Sequence, residues 1–177
     1  MTGNDEFTLG RIPKNGRLDK YDKELSALLD DKDAQKLEAF TFKLFSDSMD
    51  YLRKGSNVRF PNITLKIIYK KEEFDELCRK LDQVIPKPRT KAITVICGSQ
   101  AFIYIDFQSH FKGAPIDFIT NLSISYLEEL VHVVNPNKSE TEIQELVCSV
   151  IEGFLEIKLP DEVKQERLKQ ARIFNGH

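Results

Sequence analysis

Two long helical patterns set next to each other constrain this chain more than any other feature. Residues 115–134 read PIDFITNLSISYLEELVHVV, opened by Pro115, whose fixed φ and missing N–H suit the first helical position. Asn135-Pro136-Asn137 breaks that helix, and Ser139 with Glu142 forms a capping box that starts a second one, running to about Ile157. Both are rich in apolar residues, so they need other elements to cover them.

The rest of the chain supplies such elements. Asp30, Asp31 and Asp33 offer N-caps for a helix in which Leu37, Phe40, Leu44, Phe45, Met49 and Leu52 recur every three or four residues, ending near Gly55. Residues 63–69 (ITLKIIY) read as a β-branched strand, followed by a short helix over 72–84 and an extended connector forced by Pro86 and Pro88. Lys91 to Cys97 and Ala101 to Phe107 flank Gly98-Ser99, the strongest hairpin signal in the sequence. Pro160 opens a charged last helix, Asp161 to Phe174, which either docks on the domain or serves a partner. The expected fold is α+β: a small mixed three-stranded sheet with a backing helix and a pair of long helices. Its domain spans residues 31–159, between a flexible polar arm (1–30) and the charged helix (160–177).

Composition excludes several classes. With 41% hydrophobic residues, 8 Gly and 7 Pro in 177, the chain is neither disordered nor fibrous. A formal charge of -2 argues against a dedicated nucleic-acid binder, and no apolar run reaches the length of a membrane span. The basic clusters Lys70-Lys71, Lys87 to Lys91 and Lys164 to Arg172 are interleaved with acids and read as solvated faces. No phosphate-binding glycine motif occurs. Cys78, Cys97 and Cys148 are too widely spaced for a zinc knuckle and read as buried thiols of a reducing compartment, so a soluble cytoplasmic protein is expected.

The charge is unevenly spread. Between Gly113 and Lys158 there are eight acids against two lysines, a local charge of -6. On the first long helix Asp117, Asn121, Ser125, Glu128, Glu129 and His132 fall in one polar band of roughly 120°. A solvated helix face usually carries both signs, and this one has no Lys or Arg. A cation or a basic partner would neutralise the repulsion. Glu128 and His132, spaced i, i+4, project from one face as two ligands on one helix must, and Glu129 between them is placed to reach a metal-bound water.

The string Glu128-Glu129-Leu130-Val131-His132 resembles the HExxH motif of zincin metallopeptidases, with Glu in place of the first His. The run from Glu145 to Ile157 resembles the glutamate helix of the gluzincins, and the order of elements over residues 33–157 is similar to that of the single-domain minigluzincins. The resemblance implies a zinc ion held by Glu128, His132 and Glu145, with Glu129 as the general base. It further implies hydrolysis of a peptide or protein substrate whose extended segment pairs with the 101–107 strand as a sheet edge.

The sequence departs from the family at Glu128. A second carboxylate makes the bound water less acidic and brings harder divalent metals such as Mn or Fe into contention. Glu142 is the alternative third ligand, disfavoured because the capping box already engages it. His110, in the segment after the last strand, is either an exposed loop residue or a substitute for the missing His, and His177 is terminal. The rival function is a non-catalytic interaction module, a pseudo-peptidase whose acidic helix pair binds a basic partner.

Overall fold

The computed structural model describes residues 7–9, 31–55, 58–82, 91–110 and 115–175. Among these residues four strands and six helices follow in the order β1 (Phe7–Leu9), α1 (Asp31–Gly55), β2 (Asn62–Ile68), α2 (Lys71–Asp82), β3 (Ala92–Cys97), β4 (Gln100–Asp106), α3 (Phe107–His110), α4 (Pro115–Val134), α5 (Glu140–Leu155) and α6 (Asp161–Asn175). The fold is α+β, as the alternation of patterns implies. The Pro86/Pro88 connector, His177 and the arm outside Phe7–Leu9 lie outside the described residues.

β2, β4 and β3 form the mixed sheet, β2 parallel to β4 and β3 antiparallel to it, and Phe7–Leu9 adds a short fourth strand parallel to β2. The order β1-β2-β4-β3 corrects one expectation. The 101–107 strand is not an edge: its backbone pairs with Asn62–Ile68 on one side and Ala92–Cys97 on the other, and β3 is the edge. The cause is the hairpin, which folds β3 onto the outer side of β4 while the crossover through α2 brings β4 parallel to β2.

Alternation along the strands sets the layers. Ile63, Leu65 and Ile67 pair in register with Ala101, Ile103 and Ile105, and all six are buried with Phe45, Met49, Leu122, Leu127 and Ile151 in one core. The rings of Phe45 and Tyr126 meet edge to face at 5.0 Å, tying α1 to α4. Phe74, Cys78 and Ile93 form a smaller cluster with Ile68 and Tyr104 between the sheet and α2.

Two sequence expectations about single residues change here. Cys97 is exposed, because it ends β3 beside the Gly98 turn; Cys78 and Cys148 are buried as anticipated. The segment after β4 is a helical turn rather than a loop, and it buries His110 completely. No helix among the described residues is long and apolar enough to cross a membrane.

Candidate metal centre

The short turn between α4 and α5 builds the site. The side-chain amide of Asn135 donates to the Val131 carbonyl at 3.0 Å and its backbone N–H to that of His132 at 3.2 Å, closing the end of α4. Ser139 then caps α5: its hydroxyl accepts from the Glu142 N–H, while the Glu142 carboxylate accepts from the Ser139 N–H at 2.9 Å. Helix α5 therefore doubles back along α4, and its first turns face Glu128 and His132.

The polar band of α4 is not a solvent stripe. Asp117 is exposed, and Glu128, Glu129 and His132 each meet another element. Glu129 is 6% exposed, and its carboxylate accepts from the Thr94 hydroxyl of β3 at 2.6 Å. Ser125 donates to His110 Nε2 at 2.7 Å. Glu128 accepts from the side-chain amide of Gln144 on α5 at 2.6 Å and pairs with Arg167 on α6 at 3.3 Å. His132 Nε2 lies 3.6 Å from Glu140 Oε2. A helix face that meets four other elements through hydrogen bonds needs no lysine or arginine of its own.

Glu128, His132 and Glu140 each offer one ligand atom, and these atoms all lie within 4.8 Å of one another. Their side chains are 20%, 29% and 17% exposed, open enough for an ion to enter from solvent and sheltered enough to limit hydration. Ligands about 2 Å from a metal stand roughly 3.3 Å apart, so a modest contraction would suffice. One imidazole and two carboxylates suit zinc, manganese or iron.

The third acid differs from the one the gluzincin resemblance implies. Glu145 is exposed and stands outside this group, and Glu142 is held in the capping box, where its bonds to Ser139 keep its carboxyl below the usual range. Periodicity carried the signal. Ile143, Val147 and Ile151 are fully buried and mark the inner side of α5; Glu140 shares that side, whereas Glu145 lies about 140° around the helix from Glu140.

Helix α6 brings the positive charge that α4 and α5 lack. Besides Arg167, Lys164 reaches Glu152 at 2.6 Å, and this ammonium together with the Leu159 N–H holds the Glu152 carboxyl below its usual range. The 164–172 cluster divides: Lys164 and Arg167 turn onto α5, while Lys169 and Arg172 are exposed as expected of a solvated face, and Val163 and Ile173 are exposed beside them.

His110 does not join the metal group. Its Nδ1–H donates to the Asp106 carbonyl at 2.6 Å, which leaves Nε2 as the acceptor for Ser125. Burial holds the imidazole below its ordinary 6.5; the Asp106 carbonyl bond opposes this, and Lys91 reinforces it. In this window the unfolded chain binds the proton more readily than the folded one. The stability from neutral His110 is therefore complete above pH 6.5 and lost as pH falls through the lower folded value, with a slope of up to about 1.4 kcal/mol per pH unit. Denaturant melts between pH 7 and 5 should show this loss in wild type and a flatter profile in His110→Asn.

No protein-family model matches the chain, and neither the curated proteins nor the solved structures contain a match to it.

Proposed function

We propose that this protein binds one divalent transition metal through Glu128, His132 and Glu140. The convergence of three ligand atoms from two helices within 4.8 Å carries this reading. The site lies where the C-terminal end of α4 meets the N-terminal end of α5, and a cation is favoured at the first. The zincin-like motif and element order support zinc as the first ion to try.

Peptide hydrolysis would require a base beside metal-bound water. Glu129 is the residue the resemblance offers, and it is buried and bonded to Thr94, so the geometry supports metal holding rather than a hydrolytic step. A second reading, a zincin-like shell that binds a basic helix of a partner, draws on Arg167 and Lys164, which show how α5 and Glu128 accept such a helix from the chain itself.

Titration of chelator-treated protein with zinc at neutral pH separates the two. Metal binding requires about one equivalent in wild type and its loss in a folded His132→Ala variant. No uptake by wild type or by an Arg167→Gln variant, in which the pairing with Glu128 is gone, would rule out the metal reading and leave the interaction module.

A further inference from the structure

We propose that Arg167 competes with the metal, making α6 a latch that loosens when an ion enters; this rests on the metal reading above and concerns its regulation. The orientation of Gln144 carries the argument. Its amide nitrogen lies 2.6 Å from Glu128 Oε1 and 2.9 Å from Glu140 Oε1, between the two carboxylates that an ion would bridge. Its amide oxygen accepts from the Arg167 guanidinium at 2.7 Å.

Carboxylates only accept and a guanidinium only donates, so with Arg167 docked the amide has one way to face. Arg167 thus pins an NH2 group in the space a cation would use. It also pairs directly with Glu128, at 3.3 Å, and so engages a ligand of the proposed site. An ion at Glu128 and Glu140 would meet the NH2 hydrogens and the guanidinium charge together.

Withdrawal of Arg167 removes both obstacles. Gln144 can then turn its oxygen toward the ion or swing clear. Helix α6 is suited to let go: Ala171 and the preceding Leu159 are buried and Leu168 is half-buried, while Lys164 and Arg167 hold it through charged contacts. Because linkage is reciprocal, an ion that displaces Arg167 weakens the docking of α6 by the same factor that docking weakens the ion.

The test uses the full chain, with zinc as the probe, and two variants. Arg167→Gln removes the competitor; Lys169→Gln removes the same charge from the exposed opposite side of the same helix. Calorimetric titration should find zinc bound at least about tenfold more tightly by Arg167→Gln than by wild type, with Lys169→Gln within about twofold of wild type. In the wild type, zinc should speed amide hydrogen exchange across residues 164–171, a readout that does not depend on the variants folding. Equal affinity in wild type and Arg167→Gln, or slower exchange of α6 with zinc, would overturn the latch while leaving the metal site standing. Zinc binding by none of the three proteins would remove the site and the latch with it.

Discussion

Replacing Glu140 by Gln is expected to weaken zinc binding roughly hundredfold, whereas Glu145→Gln should leave it within about twofold. The substitution keeps the size of the side chain and its capacity to bond Gln144, so what is lost is one anionic ligand. Glu140 lies 2.9 Å from the Gln144 amide and 3.6 Å from His132, on the side of α5 that faces α4. Glu145 is exposed, and its backbone carbonyl accepts from the Ser149 hydroxyl. Competition against a chromophoric chelator reads both affinities in one experiment. Equal weakening by the two variants would put the third ligand elsewhere, and weakening by Glu145→Gln alone would restore the residue implied by the gluzincin resemblance.

Phe45→Ala should cost about 3–5 kcal/mol of folding stability, the usual range for deleting a fully buried ring. Phe45 is 0% exposed and packs edge to face on Tyr126, which is equally buried. Tyr126 also has a hydroxyl with no hydrogen-bond partner, so the α1–α4 contact holds through packing while already carrying one unsatisfied polar atom. The surrounding core of Met49, Ile63, Leu122 and Leu127 is tied to the sheet and cannot collapse fully into the space left. A melting temperature lower by roughly 6–20 °C would be the calorimetric signature for a chain of this size. A loss under about 1 kcal/mol would mean that α1 is not the support on which α4 rests.

The sequence made the local features of this fold readable and left the long-range ones open. Pro115 and the capping box at Ser139 placed both long helices, and the Gly98 turn placed the hairpin, because each signal is complete within a few residues. Whether β4 lies at the edge or the centre depends on which strand joins its other side, and that strand, Asn62–Ile68, is distant in sequence. Phe7–Leu9 is not legible in the sequence, because three residues of strand among polar neighbours have no pattern of their own.

The candidate site divides the same way. Glu128 and His132 follow from spacing on one helix. Glu140 needed the inner side of α5 to be fixed first, and the buried Ile143, Val147 and Ile151 would have fixed it. Arg167 was invisible for a different reason: a cation in a helix of alternating charge gives no sign of which residue it will meet 39 positions away. The missing positive charge on α4 and α5 was the clue, and the chain's own last helix supplies part of the answer.

The strand order carries a consequence for how the chain reaches this state. The β3–β4 hairpin and the α4–α5 pair are closed by turns of a few residues and form at little cost in loop entropy. Joining β2 to β4 in register, Asn62 opposite Gln100, requires a crossover through α2, and seating Phe7 opposite Ile63 requires a longer closure still. The two parallel pairings are therefore the ones expected to pace folding, with the sheet growing outward from the hairpin and the Phe7–Leu9 pairing the last to close.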